Sequence, residues 1–360
     1  MASHTLPRLS LWQKVYASGQ AGIILFEGVF RFALSSFHAR KIQPWQKRIL
    51  GSIVKAVRSR NLPLEYTRAT IGPPTGTTVA KVCAAQGLSH EAVVFSAGAG
   101  YPDATLHFVN CANEVSGNGP IMLFLHGGGY ANALLDGQLH FTIECANHAK
   151  AGLVVLEYTL APEARYPTQL VQGVAALRHL LVRRVPNQVL LIGDSAGGNL
   201  ALALLAHCIS TSPYAPALEL TGGAQFRGAL LLSPWVSTAY SAAAYASNAA
   251  TDYLSKEQTL LFDGWWQPKR NEVWANPVVK DKEFWNRIPT PRVLLTAGTF
   301  EIFYDDVLQM LEQLGGQDED GKVKLLEFEG DYHDGLMVEA QLKLKSSAGA
   351  QLVFEWLREV

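Results

Sequence analysis

The sequence predicts an α/β fold organised around a mostly parallel β-sheet. Short, fully apolar segments recur along the chain, and longer helix-favouring stretches separate them. Continuous apolar runs are typical of strands that are buried on both faces, and alternation of strands with helices implies right-handed βαβ units. The predicted strands are residues 105–109, 121–125, 153–158, 189–192, 228–232, 292–297 and 322–328.

Size, charge and cysteine content narrow the class of protein. A chain of 360 residues that is 48% hydrophobic can bury one large domain with an elaboration, or two ordinary domains. Lys and Arg total 30 against 31 Asp and Glu, which gives no electrostatic basis for binding nucleic acid. The four cysteines have no C-x-x-C spacing, which argues against a disulfide framework or zinc site and favours a cytoplasmic location.

Two helical segments are predicted to lie over a central core. They are the N-terminal residues 1–60 and an insertion at residues 240–286 that contains four tryptophans. The core comprises residues 61–239 and 287–360. We expect the insertion and the N-terminal helices to form a cap, with an ordinary peripheral helical layer as the alternative.

Smaller features qualify this division. Residues 61–99 are expected to form short β-like pieces joined by turns. The apolar stretch 21–34 contains Glu27 and Arg31, and it is too short and too charged for a transmembrane helix. It favours an amphipathic helix that packs over the core, with peripheral contact to a membrane surface as the alternative.

A serine is placed at the bend between a predicted strand and the helix that follows. The Gly193–Asn199 segment, GDSAGGN, follows the apolar run 189–192 and precedes a leucine- and alanine-rich stretch. In this context a G-x-S-x-G pattern holds the serine at a strained tip, where Gly193 and Gly197 avoid steric collisions. The N-terminus of the helix then stabilises negative charge beside Ser195. The alternative is a glycine-rich turn that only joins strand to helix.

A glycine-rich loop, HGGGY at residues 126–130, directly follows the strand predicted at 121–125. Glycine N–H groups can approach an oxyanion closely, and this pattern is an oxyanion-hole element of lipases and esterases. The predicted oxyanion donors are the N–H groups of Gly128, Gly129 and Ala196. His126, Gly127 and Asp194 are expected to support the two motifs. A phosphate-binding loop would need a lysine near the following helix, and the sequence has none there.

A serine hydroxyl needs a base, and His333 is the histidine best placed to supply it. Among ten histidines, it is the one that follows the last predicted strand. The acid that orients His333 is expected after strand 292–297, in the chain order serine, acid, histidine. Glu301 lies nearest the strand end and is preferred. Asp305 is the alternative acid, although Asp305 and Asp306 also suit the first turn of a helix.

Four segments together resemble the hormone-sensitive lipase family of α/β-hydrolases. They are HGGGY at 126–130, EYTLAPE at 157–163, GDSAGGN at 193–199 and LSPW at 232–235, in the family's order and with similar spacing. The resemblance covers residues 120–333 and implies an eight-stranded sheet under a helical cap. It also implies ester hydrolysis without a cofactor or metal. The chain departs from the family at the acid, where Asp-Pro-Leu is replaced by EIF from Glu301.

The expected function is cleavage of a small-molecule carboxylic ester through a Ser195–His333–Glu301 triad and an acyl-enzyme intermediate. The aromatic-rich insertion favours a bulky apolar substrate, and the helical N-terminus resembles fungal members acting on secondary metabolites or steryl acetates. One alternative is acyl transfer, lactonisation or cyclisation at the same site. Another is a non-catalytic receptor-like member, against which the presence of His333 argues.

Overall fold

One eight-stranded sheet organises the part of the chain that the structure, a computed structural model, describes: residues 23–33, 43–58, 60, 63–109, 119–317 and 321–360. The strand order is β1-β2-β4-β3-β5-β6-β7-β8. β2 is antiparallel to both of its neighbours, and every other pair is parallel. The strands are β1 (His90–Phe95), β2 (Ala104–Val109), β3 (Ile121–Leu125), β4 (Gly152–Glu157), β5 (Val189–Asp194), β6 (Gly228–Leu232), β7 (Val293–Gly298) and β8 (Val323–Phe328). The predicted α/β fold with a mostly parallel sheet is confirmed.

Helices cover both faces of the sheet and surround its carboxyl edge. In chain order they are α1 (residues 23–33), α2 (Trp45–Arg58), α3 (Leu64–Ile71), α4 (Thr75–Gln86), α5 (Asp136–Ala149), α6 (Thr168–Leu181), α7 (Ala196–Ile209), α8 (Ala244–Ser247), α9 (Lys256–Trp266), α10 (Lys282–Trp285), α11 (Tyr304–Gln313), α12 (Gly335–Gln341) and α13 (Ala348–Glu359). Short connections between strand and helix then bring several strand ends to the same edge of the sheet.

Alternation along the strands divides the core into two layers. In β3, Leu123 and Leu125 pack in one cluster with residues of α6 and α7. Met122 and Phe124 point the other way and pack with residues of α5 and α13. Successive strand side chains face opposite sides of a sheet, so an unbroken apolar run is required where both sides are covered.

The prediction for residues 61–99 was wrong, because most of this region is helical. It contains α3 and α4, followed by the single strand β1. α4 begins after Pro74 and ends at Gly87, whose φ of 67° is left-handed. Its buried residues Val79, Val82 and Cys83 have helical spacing and pack on the sheet. The threonines and glycines of this stretch favour turns locally, but burial of that apolar face stabilises the helix.

The insertion at 240–286 is helical, as expected, and its aromatic residues serve the core as well as the site. Trp266 and Trp285 are buried in the same cluster as the residues of α6 and α7. The Trp266 ring stacks on Tyr130 of the HGGGY loop with ring centroids 4.2 Å apart. The insertion is therefore packed directly against the glycine-rich loop. Its role as a cap stays a prediction.

The N-terminal segment is described only in part, so the prediction for residues 1–60 lies partly outside the described ranges. Gly28 of α1 packs against Ile53 of α2, and Glu27 forms ion pairs with Arg31 and Arg60. Among the described residues, no helix combines the length and apolar character that crossing a bilayer requires. Contact of this segment with a membrane surface stays a prediction.

Candidate active site

Ser195 lies at the turn between β5 and α7, in a backbone conformation that non-glycine residues rarely adopt. Its φ and ψ angles are 51° and −117°. Glycines leave room for this turn, because a Cβ on Gly197 would lie 1.8 Å from the Leu125 carbonyl oxygen. The Ser195 N–H donates to the Leu232 carbonyl at 2.9 Å. The serine is thereby fixed above the adjacent ends of β3, β5 and β6.

Asp194 joins the serine turn to the HGGGY loop. The Gly127 N–H donates to its Oδ1 at 2.8 Å, and the Gln138 side-chain amide donates to its Oδ2 at 2.6 Å. Complete burial raises the pKa of Asp194 to about 6, although both hydrogen bonds favour the carboxylate. The hydrogen bond between Gly127 and Asp194, the residues predicted to support the two motifs, joins the serine turn to the glycine loop.

The backbone N–H groups of Gly128, Gly129 and Ala196 are the predicted oxyanion donors. Gly128 and Gly129 have φ angles of 108° and 63°, which glycine adopts without steric cost. Ala196 is the first residue of α7, where an N–H group has no intrahelical acceptor. In the described ranges, none of these three N–H groups donates to a protein acceptor. They are available to bind an oxygen of a ligand.

His126 is completely buried beneath the glycine loop. Its Nδ1 lies 2.8 Å from the Gly127 carbonyl oxygen, and its Nε2 lies 3.3 Å from Thr75 Oγ1. The ring stacks on Tyr158 with centroids 4.4 Å apart. Burial lowers the pKa of His126 to about 4, so the imidazole is neutral near neutral pH. These contacts place the His126 side chain where it supports the HGGGY loop from below.

The structure brings His333 and Ser195 together. His333 lies in the loop after β8, and its Nε2 is 2.9 Å from Ser195 Oγ. Both residues are nearly buried, with 3% and 6% of their surfaces exposed. Asp334 Oδ2 lies 3.3 Å from the same His333 nitrogen. A buried hydroxyl next to a buried imidazole is the arrangement that general-base activation of a nucleophile requires.

Glu301 lies on the opposite side of the His333 ring and is completely buried. Its Oε2 is 3.7 Å from His333 Nδ1, which is longer than a hydrogen bond. Such contacts are often long without substrate and tighten in the reacting complex. Burial raises the pKa of Glu301 to about 8, and the nearby Ser233 side chain opposes that rise. Asp305, the alternative acid, instead accepts the Ala244 N–H at 2.7 Å.

Two buried ionisable groups at the site were missed by the sequence reasoning. Asp252, from the insertion, contacts two loops. One is the acid loop, residues 299–303 between β7 and α11, and the other is the base loop, residues 329–334 between β8 and α12. Lys47, from α2, donates to Asp331 Oδ2 at 2.7 Å and to Glu339 Oε1 at 2.9 Å, next to the base loop. Neither belongs to a motif. Their partners are far away in sequence, so no local signal could have found them.

Aromatic side chains line the surroundings of the serine and histidine. The edge of Phe303 packs against the His333 ring with centroids 4.9 Å apart, and Tyr253 lies 6.2 Å away. Phe262 of α9 covers the glycine loop so closely that a Cβ on Gly129 would lie 2.4 Å from its ring. Aromatic surface therefore limits the access of water to Ser195 and His333, and electrostatic interactions are stronger in such a site.

The chain is similar in sequence and in fold to known hydrolases. The putative steryl acetyl hydrolase of Schizosaccharomyces pombe is 25% identical over 220 residues, which span 56% of each chain. An acetyl-hydrolase of Streptomyces hygroscopicus is 32% identical over 138 residues, or 38% of this chain and 43% of that protein. An esterase structure from the fungus Rhizomucor miehei superposes with a TM-score of 0.68 at 19% identity, covering 89% of this chain and 96% of the esterase.

These alignments differ in extent. The chain spans about half of the length of the relatives that it matches in sequence, at 43%, 43% and 56% for three of them. The likeness to the solved esterase shows a shared fold. A family model described as the alpha/beta hydrolase fold matches residues 122–337, which is more than half of the chain. The chain therefore belongs to the α/β-hydrolase family, as its resemblance to the hormone-sensitive lipase members predicted.

Proposed function

We propose that this protein is a serine esterase that uses Ser195 as nucleophile, His333 as base and Glu301 as the orienting acid. The observation that carries the proposal is the 2.9 Å approach of His333 Nε2 to Ser195 Oγ at a strained strand-to-helix turn. The acidic group behind the imidazole and the three unpaired N–H groups beside the serine supply the remaining parts of an acyl-transfer site.

The reaction proceeds in two halves. His333 Nε2 takes the proton from Ser195 Oγ as this oxygen attacks the ester carbonyl carbon. The oxyanion that forms is held by the N–H groups of Gly128, Gly129 and Ala196. His333 then gives the proton to the leaving alcohol, and an acyl group remains on Ser195. Water attacks this ester by the same route and releases the carboxylic acid.

Glu301 acts when His333 becomes positively charged. Burial raises the pKa of Glu301 to about 8, and its role as the orienting acid requires the carboxylate form. An adjacent imidazolium favours the carboxylate, because opposite charges attract strongly in a buried site. The attraction between Glu301 and His333 is therefore greatest when His333 carries the transferred proton. The transition state resembles this protonated form, so the ion pair stabilises it.

We propose a short acyl group, such as acetyl, on a bulky apolar alcohol as the substrate class. The Streptomyces hygroscopicus relative is an acetyl-hydrolase, and the Schizosaccharomyces pombe relative is a putative steryl acetyl hydrolase. The close packing of Phe262 on Gly129 supports a small acyl space beside the oxyanion donors. The aromatic residues Phe303 and Tyr253 around His333 support an apolar partner. Secondary-metabolite or steryl esters fit this description.

An alkyl p-nitrophenyl phosphonate tests the nucleophile directly. Attack by an activated serine releases p-nitrophenol and leaves a phosphonate ester that is stable enough for mass spectrometry. We expect one adduct per chain, on the tryptic peptide that contains Ser195. The release of p-nitrophenol should match the loss of esterase activity mole for mole. Absence of both an adduct and esterase activity would support a receptor-like protein and overturn the proposal. An adduct elsewhere, with esterase activity intact, would overturn Ser195 as the nucleophile.

The acyl-length assignment predicts an effect of Phe262→Ala. Wild-type protein should hydrolyse p-nitrophenyl acetate with a higher kcat/KM than p-nitrophenyl octanoate. Removing the ring beside Gly129 should raise the octanoate-to-acetate ratio of kcat/KM by about tenfold, because apolar pockets discriminate by that much per few methylenes. Leu260→Ala, on the same helix at a side chain that is 43% exposed, is the matched control. An unchanged ratio in Phe262→Ala would contradict the short-acyl proposal.

A further inference from the structure

We infer that Asp252 is a positioning residue, a carboxylate from the insertion that holds the acid loop and the base loop in their reacting arrangement. This inference rests on the proposed function, because it assigns a task within the same site. Asp252 lies outside every sequence motif, between α8 and α9. Asp252 accepts hydrogen bonds from the backbone of both loops.

The contacts of Asp252 join three separate segments. Its Oδ2 accepts the N–H of Ile302, the residue after Glu301, at 2.8 Å. Its Oδ1 accepts the N–H of Leu254 at 3.1 Å and lies 3.4 Å from the N–H of His333. The carboxylate is completely buried. A short hydrogen bond from an N–H group to a buried carboxylate, such as the 2.8 Å bond from Ile302, is strong and fixes the backbone on which it acts.

This arrangement sets the distance between acid and base. Glu301 and His333 belong to loops that follow different strands, β7 and β8. The Asp252 carboxylate bridges the backbone of these loops, at the residue after Glu301 and at His333 itself. A displacement of the insertion would withdraw Asp252 from both loops. The correct placement of Glu301 and His333 therefore depends on the packing of the insertion against the core.

The Asp252 charge also acts on His333 directly. Burial raises the pKa of Asp252 to about 6, and the His333 charge opposes this rise. By reciprocity, an ionised Asp252 favours the imidazolium form of His333. The titratable groups that face His333 are Ser195, Glu301, Asp334, Tyr253 and Asp252. Among them, Asp252 is the carboxylate that also bonds the His333 backbone.

The decisive variant is Asp252→Asn, which keeps an acceptor at nearly the same volume but removes the charge. We expect kcat per phosphonate-titratable site to fall about 10- to 100-fold, with KM within about twofold, because orienting hydrogen bonds contribute at this level. The acid limb of the kcat/KM profile should move to lower pH by about 1 unit, because His333 then protonates less readily. Asp252→Ala should lower kcat further.

Asp263→Asn is the matched control. Asp263 is another buried carboxylate of the insertion, but it bonds Tyr240 and Arg270. It should leave the acid limb in place. A purely structural role for Asp252 would reduce the number of titratable sites or the melting temperature without moving the acid limb, and this result would overturn the inference. If Asp252→Ala does not fold, the pH profile of kcat/KM for Asp252→Asn tests the inference by itself.

The same measurements separate this inference from the proposed function. If wild-type protein is not labelled by the phosphonate, the proposed function itself fails. If wild-type protein is labelled and Asp252→Asn is labelled at the same rate with the same pH dependence, only the role of Asp252 fails. Slower labelling of Asp252→Asn, with the acid limb shifted, supports both.

Discussion

Replacing Ser195 with alanine is expected to lower kcat for p-nitrophenyl acetate hydrolysis by a factor on the order of 10⁴–10⁶. Ser195 Oγ is the atom that forms the proposed acyl-enzyme, and it lies 2.9 Å from His333 Nε2. KM should change little, because the oxyanion donors and the apolar walls remain. The measurement is initial rates at several substrate concentrations on purified protein.

Folding must be separated from chemistry in this variant. Ser195 has a φ of 51°, which alanine also adopts only with strain, so circular dichroism and thermal unfolding should accompany the kinetics. Ser210→Ala, at an exposed serine just after α7, serves as the control and should retain wild-type rates. Near-normal hydrolysis by a well-folded Ser195→Ala protein, free of contaminating esterase, would refute the proposed nucleophile.

Glu301→Gln is expected to lower kcat by a factor on the order of 10²–10⁴, because an amide can neither neutralise the imidazolium nor hold the required tautomer. Glutamine has nearly the same volume, so the buried site should stay packed. Asp305→Asn should change kcat by less than about threefold. Asp305, in the first turn of α11, accepts the N–H of Ala244, and an asparagine oxygen can accept the same hydrogen bond. Steady-state kinetics of both variants decide between the two acids.

The opposite pattern would reassign the acid. If Asp305→Asn lost most activity and Glu301→Gln did not, the shorter carboxylate would have to reach His333 through a loop movement. Glu301→Asp provides a further check. It retains the charge but shortens the side chain, so it should recover part of the activity that Glu301→Gln loses. The 3.7 Å separation from His333 Nδ1 suggests that reach, as well as charge, limits this acid.

Local patterns in the sequence were sufficient for the central features of the fold. Apolar runs such as 121–125 and 189–192 became buried parallel strands, because only a strand covered on both faces needs such a run. Gly193 and Gly197 lie on either side of Ser195, at positions where a Cβ would collide with the backbone. The glycines of the motif are therefore required by the geometry of the turn. Chain order and strand ends were enough to select His333 from among ten histidines.

The helical nature of residues 64–86 was missed for a different reason. Threonine and glycine favour turns in an isolated peptide, and the stabilising partner of α4 is a sheet formed by residues far along the chain. Helical spacing of Val79, Val82 and Cys83 was present, but it covers only one turn and is weak evidence alone. Tertiary burial decided the conformation of this segment.

The sequence by itself determined the strands, the strained serine turn, the glycine loop and the histidine that can reach them, because each depends on the order and spacing of neighbouring residues. Tertiary structure alone decided that Asp252 bonds both catalytic loops, that Phe262 covers Gly129 and that Lys47 supports the base loop. Those contacts join residues that are tens or hundreds of positions apart. A carboxylate, a phenyl ring and an ammonium group acquire such tasks only when folding brings their partners within contact distance.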